Sequence, residues 1–307
     1  MFDIKDDSTY FYLTGNLIMT LHTHNIASIN DFLSGDIDLC SPPEIFMRVT
    51  QALDSNKNGA ADIATIIEQD PSLSSRMLKI VNSAFFGFPA TVKTVNQAIT
   101  ILGHKEIRLL VMTTSVVEEF SDMPNALLDM REFWSHSLKT ALFSKHLADK
   151  HPKKRMLSSS FVSGLLHDIG RLVLYMKSPD LARAAALSAQ VDQMSEVEAE
   201  VNTFGFSHAD IGGALLELWK IPDSIQQSAL FHHTPKLATN HSIETNIVYL
   251  ANKLAHADIS SEQSLNEACP PTDPIWDSIE IPYACLATVS SEVMEEFSKT
   301  YTLFFGH

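Results

Sequence analysis

Apolar residues recur at helical spacing along almost the whole of this chain, and that pattern decides the fold class before any motif is considered. In DPSLSSRMLKIVNSAFFG, Leu73, Met77, Ile80, Val81 and Ala84 fall at i, i+4, i+7, i+8 and i+11, one stripe of a helix. Asp70 is a natural N-cap there, Pro71 suits the first helical position, and Gly87 can close the helix in the left-handed region. The same spacing predicts helices over 44–54, 60–69, 92–102 and 105–119. A second series is expected over 130–150, 160–176, 179–189, 197–204, 208–219, 222–233 and 243–257. Pro235 stops the helix that ends in His232 and His233, because the residue before a proline avoids the α region. No segment alternates with period two between Asn-Gly or Asp-Gly turns, so strands are not expected. The expected class is all-α.

The pattern also divides the chain. Residues 1–40 form an N-terminal extension with at most one short amphipathic helix, 41–124 a first helical lobe, and 125–258 a second. Residues 259–307 hold a turn-rich linker around NEACPPTDP and a last helix over 283–301 that packs back on the body.

Charge narrows the partners. Lys and Arg number 22 against 37 Asp and Glu, a formal net charge of -15, which repels phosphate backbones and anionic membrane surfaces. The densest basic cluster, HPKKRM at 151–156, reads as a solvated helix-end loop, so neither nucleic acid nor a membrane is an expected partner. The longest apolar stretch, around 107–117, stops at Glu118 and Glu119 and is too short to span a bilayer. Cys40, Cys269 and Cys285 are far apart with no Cys-x-x-Cys spacing, which fits reduced thiols. MFDIKDDSTY is acidic where a signal peptide would be basic. A cytoplasmic location is expected.

One stretch breaks the apolar monotony. SGLLHDIGRL, residues 163–172, sets His167 and Asp168 at the centre of a run otherwise suited to burial. A core histidine satisfied by a neighbour, a surface pair and a metal site are the three readings. Other histidines stand beside equally apolar faces: His136 in FWSHSLKTA, His208 in FGFSHADIGGALLELW, and His232 and His233 in SIQQSALFHHTP. Asn252 lies in NIVYLANKLAH. Imidazole nitrogen and carboxylate oxygen suit iron, manganese, zinc or nickel, and coordination compensates several buried rings for lost hydration. Neighbours on one helix diverge by about 100°, so His167 and Asp168 would flank one cation, or Asp168 would bridge two. Gly164, Gly170, Gly212 and Gly213 point to close approach by a helix or ligand, since a mid-helix Gly costs about 1 kcal/mol against Ala. The set is expected to share a polar pocket. His22, His24, His104, His146, His151, His241, His256 and His307 are expected in loops, near termini or on polar faces, unpaired.

The order His, His-Asp, His, His-His resembles the HD metal-dependent phosphohydrolase superfamily, and more narrowly the HDOD domain, the HD-related output domain of bacterial signalling. SPPEIFMRVTQAL, IIEQDPSLSSRMLKIVNSAFFGFP and TVNQAITILGHKEIRLLVM are similar to the family's first-lobe signature. GLLHDIGRLVL, EVNTFGFSHADIGGALLELWKIPDSIQQSALFHH and VYLANKLAH match its second block, so the resemblance runs from about 42 to 256. It implies two packed helical lobes, the second HD-like, with His136, His167 and Asp168 as ligands of a first metal. His208, His232 and His233 match positions that, in the cyclic-dinucleotide phosphodiesterase branch called HD-GYP, hold a second metal with a bridging Asp168. Most HDOD proteins lack several of these residues and are regarded as non-catalytic; this chain keeps nearly all. It departs at Asn252, where the last aspartate is expected and the amide oxygen carries no charge. It also carries HHTPKLATN in place of the branch's HHE..DG.GYP.

The expected function is therefore a bacterial signal-transduction output module. Its second lobe holds a pocket for one or two divalent ions and a nucleotide or phosphate ligand, with little or no catalysis. Its first lobe transmits to signalling proteins on separate chains, and homo-oligomerisation is compatible with the sequence. The alternative is a metal-dependent phosphohydrolase acting on a nucleotide or cyclic dinucleotide. In that case Asp168 and His208 are catalytic, Asp168 bridging or orienting the nucleophile and His208 or His233 moving a proton, with Lys139 or Arg171 facing the phosphate. A third class, an adaptor with an empty pocket, predicts no metal.

Overall fold

The computed structural model describes residues 28–34, 41–55, 57–83, 86, 88–121 and 128–305, and among them there is no strand. Ala84, Gly87, Cys40, His22, His24, His307 and the boundary near Asn125 lie outside the described residues.

The first lobe packs α2 (Glu44–Asp54), α3 (Ala60–Ile67), α4 (Pro71–Val81) and α5 (Val95–Ser121) on one another. In α4 the Asp70 carboxylate accepts from the Leu73 amide at 2.9 Å, Pro71 opens the first turn, and Leu73, Met77, Ile80 and Val81 are buried. Asn82 then ties off the following loop: its Oδ1 accepts from the Val92 amide at 2.7 Å and its Nδ2 donates to the Val92 carbonyl at 2.8 Å. The two helices expected over 92–102 and 105–119 join in α5 at Gly103, whose φ of 80° breaks the helical path where a side chain would be strained.

The second lobe comprises α6 (Met130–Lys150), α7 (Ser160–Leu166), α8 (Ile169–Lys177), α9 (Pro179–Asp192), α10 (Glu196–Phe204), α11 (His208–Leu218), α12 (Asp223–Phe231) and α13 (Ser242–His256). The single helix expected over 160–176 is two, α7 and α8, with His167 and Asp168 between them. α6 lies along α7 and α13, and α11 lies between α8 and α12. Small residues set these distances. A Cβ at Gly164 would stand 2.8 Å from both Ala141 Cα and the Thr140 carbonyl oxygen of α6. One at Gly170 would run into the His208 carbonyl and stand 2.6 Å from the Gly212 nitrogen. The glycines flanking the His-Asp pair thus answer to neighbouring helices.

One segment ties the lobes together and another braces the second lobe. α16 (Leu286–Phe305) packs on α6 and also on α4 and α5. His146 of α6, expected on a polar face, is 6% exposed, with Nδ1 3.1 Å from Glu292 and Nε2 3.3 Å from Glu296 of α16. At the other end α1 (Ile29–Leu33) reaches α11, and the Phe32 ring packs on Phe204 and Phe206. Lys177 donates to the carbonyls of Phe32 and Ser34 at 2.6 and 3.1 Å, which satisfies the end of that short helix. The stretch read as a linker holds α14 (Glu262–Ala268) and α15 (Ile275–Ser278), because Leu265, Cys269, Ile275, Trp276 and Ile279 are core residues. Cys269 and Cys285 are unpaired thiols. No helix among the described residues is long and apolar enough to cross a membrane.

The contact at Gly170 is backbone against backbone and has little room to relax. Gly170→Ala is expected to destabilise the fold by about 1–3 kcal/mol or more, seen as a lower urea midpoint at unchanged slope.

Candidate metal centre

Helix ends, more than helix faces, aim the functional side chains. His167 is the last residue of the α7 turn and Asp168 opens α8 with φ -99° and ψ 10°. His167 keeps helical torsions while Asp168 leaves them, and the two side chains reach one space, Asp168 Oδ1 lying 3.5 Å from His167 Nε2. His208 is the first residue of α11, held by a capping box in which the Asp210 carboxylate accepts from the Ser207 amide at 2.8 Å. His232 ends α12 and His233 follows it. His136 comes from the second turn of α6, and Asn252 from α13 beside it.

All seven residues singled out from the sequence converge. Asp168 Oδ1 is the hub, 3.3 Å from both His208 Nε2 and His232 Nε2. His208 Nε2 lies 2.9 Å from His233 Nε2 and 3.4 Å from His232 Nε2, while His136 Nε2 lies 3.3 Å from His167 Nε2. The ligand atoms form two groups, each within 4.8 Å: Asp168, His208, His232 and His233, and His136, His167 and Asp168. Asp168 belongs to both. His167, Asp168, His208 and His232 are buried, His136 is half-buried and His233 exposed, so access comes from the side of the latter two.

The outer nitrogens fix how the rings point. His167 Nδ1 lies 2.8 Å from the Gly164 carbonyl and His232 Nδ1 2.7 Å from the Ala229 carbonyl. A carbonyl only accepts, so each Nδ1 carries a proton and each ring turns its Nε2 inward. Asn252 is buried, and its Oδ1 has no hydrogen bond of good geometry. Several acceptors therefore crowd one dry space. Burial lowers His136 to about 4 and holds His167 well below the usual histidine range. Burial alone would raise Asp168, but the facing His167, His208 and His232 outweigh it and keep it a carboxylate.

Sequence reasoning misses Glu200. It is 8% exposed on α10, and its Oε2 accepts from both the His208 amide and His208 Nδ1 at 2.7 Å. Burial disfavours charge on the His208 ring, yet the Glu200 charge and the Asp168 contact raise it to about 9. A signal is present in the sequence: Glu200 stands four residues before Phe204 on the buried stripe of its helix, a carboxylate on an apolar face as at Asp168. Arg171 Nη1 lies 3.5 Å from Asp168 Oδ2 and 3.1 Å from Glu196. Lys139 points elsewhere, 5.6 Å over the Phe297 ring. Of the histidines expected to stand alone, His256 lies with its ring 4.3 Å from that of His136, and His241 lies 3.3 Å from Asp223.

An all-helical body with a buried His/Asp centre at helix ends is the class that fold and site define. The HDOD domain profile matches residues 39–235, well over half of the sequence, and the chain belongs to the HDOD domain family. Its fold is that of an HDOD domain protein of unknown function from Geobacter sulfurreducens, with a TM-score of 0.66, 20% identity, and 86% of this chain and 93% of that one covered. A candidate phosphohydrolase from Shewanella amazonensis gives 0.67 and 22%, covering 87% and 97%. A candidate signal transduction protein from Marinobacter aquaeolei gives 0.66 and 19%, covering 92% and 67%. In sequence, an uncharacterized protein of Treponema pallidum is 24% identical over 225 residues; these cover 70% of this chain but 41% of that relative, so the chain spans about two-fifths of its length.

Proposed function

We propose that this HDOD protein is a signalling module whose second lobe binds a divalent metal ion in the His/Asp centre and which does little or no chemistry. One observation carries the reading: imidazole Nε2 atoms and a carboxylate face one another across 2.9–3.5 Å, with the outer nitrogens of His167, His208 and His232 already engaged. A single proton on His208 would relieve one such contact and leave the other Nε2 atoms opposed. A cation relieves all of them, and Asn252 Oδ1, which lies beside His136 with no hydrogen bond of good geometry, gains a use. The donor set of nitrogen and oxygen suits iron, manganese, zinc or nickel.

His136, His167, Asp168, His208, His232 and His233 would hold one or two ions, with Asn252 as a neutral oxygen ligand beside His136. The ligands come from α6, α7, α8, α11, α12 and α13, so occupancy would lock six helix positions together. α6 leans on α16, which also touches α4 and α5. That contiguity supports a route by which metal or ligand state in the pocket biases the first lobe, the surface we assign to signalling partners on separate chains. A nucleotide or phosphate is the ligand class that a cation next to Arg171 would favour.

Arg171 beside Asp168 also favours the second reading, a phosphohydrolase. There the bound ion supplies Lewis acidity and a more acidic water. Asp168 orients the nucleophile, and His208 or His233 holds the proton in transit. Against it stand Glu196, which already engages the Arg171 guanidinium, and the neutral Asn252.

Purified protein is expected to contain divalent metal by mass spectrometry. A free ion at a hundred times Kd contributes about 2.7 kcal/mol, so chelation is expected to lower Tm by several degrees. His167→Gln is expected to lose that chelator effect; equal melting curves with and without chelator in the unaltered protein would refute metal binding. Incubated with manganese or iron(II), the protein is expected to leave cyclic dinucleotides and a generic phosphodiester intact. Metal-dependent turnover that disappears in Asp168→Ala would establish the hydrolase instead.

A further inference from the structure

The two halves of the pocket are chemically unequal, although they share Asp168. On the His136 side the remaining donors are His136 and His167, whose Nδ1 is bound to a neutral carbonyl, and the amide of Asn252. None of these adds negative charge. On the other side stand three imidazoles, and behind His208 lies the Glu200 carboxylate, 2.7 Å from Nδ1 and nearly dry. His167 and His232 rest on uncharged carbonyls; His208, by contrast, rests on a carboxylate. A carboxylate hydrogen-bonded to the far nitrogen of a ligand ring makes its near nitrogen more basic and holds the ring in place. Glu200 also accepts from the His208 backbone amide, so one oxygen fixes both the start of α11 and the tilt of the ring. Arg171 offsets part of this charge, but Glu196 occupies it from the outside at 3.1 Å. The carboxylates Asp168, Glu196 and Glu200 against one guanidinium leave this side net negative.

We infer that Glu200 is a positioning residue that makes the His208–His232–His233 side the tighter of two ion positions, the His136 side binding weakly for want of a charged ligand at Asn252. This rests on the metal reading above and adds an order of filling to it. A single resident ion sits against Asp168 on the Glu200 side, and the second position fills only at higher metal concentration.

The test is titration of the full chain, stripped with chelator and then supplied with cobalt(II), read by calorimetry and by the visible absorption of the bound ion. The unaltered protein is expected to show two dissociation constants at least tenfold apart. Glu200→Gln keeps the shape and an acceptor oxygen for His208 but removes the charge. It is expected to weaken the tighter constant about 10- to 100-fold and to change its absorption. His136→Gln is expected to remove the weaker binding event and spare the tighter one, and Asn252→Asp to strengthen the weaker one. An unchanged tight constant in Glu200→Gln would overturn the inference, as would two equally tight ions or loss of the tight ion in His136→Gln. Because the last two outcomes do not involve position 200, they decide the matter even if Glu200→Gln fails to fold. No cobalt binding at all would overturn the metal reading itself, whereas two equal ions would leave that reading standing.

Discussion

Asp168 carries a charge in a place where charge is costly. At 4% exposure its carboxylate is cut off from water, and its charge is offset by the His208 ring at 3.3 Å, raised to about 9, and by the Arg171 guanidinium at 3.5 Å. A buried carboxylate without partners would take up a proton or unfold its surroundings. The second lobe is arranged to supply those partners: α7 and α8 break at this residue, α11 begins at His208 facing it, and α12 ends there with His232. A cation in the same space would complete what these groups begin.

Bringing three helix ends to one carboxylate requires backbones to approach more closely than side chains normally permit. Glycine meets that requirement at two points, Gly164 against α6 and Gly170 against the first turn of α11. Each gives up helix propensity of about 1 kcal/mol, offset by the tighter packing and the hydrogen bonding that close approach allows. The outer shell then fixes the rings: two backbone carbonyls and Glu200 hold three Nδ1 atoms, so the inward nitrogens are set by groups that never touch the centre of the pocket.

Two segments distant in the chain brace this lobe. α16 places Glu292 and Glu296 around His146 on one flank, while α1 lays Phe32 on Phe204 and Phe206 on another. α6 and α11, which carry His136 and His208, are thus each braced by a segment distant in the chain. The signalling role proposed above would draw on packing of this kind, because packed helices shift as units.

Much of this is legible in the chain itself. Periodicity sets the all-helical class and bounds helices such as 44–54 and 130–150, because an apolar stripe and its caps are local properties. The spacing of His136, His167-Asp168, His208 and His232-His233 on apolar faces names the pocket residues. Other features are decided only by packing. The break between α7 and α8 leaves no mark in an unbroken apolar run; it exists because Asp168 must turn toward rings from other helices. His146 and the buried residues of 262–279 read as surface and linker, since their partners lie far off in sequence. Glu200 is marked in the sequence only as a carboxylate on the buried stripe of its helix; that it meets His208 is decided by packing. Sequence determines which side chains are out of keeping with their helix face, since that needs only the 3.6-residue repeat, whereas which of them meet, and which nitrogen each ring presents, depends on contacts between helices distant along the chain.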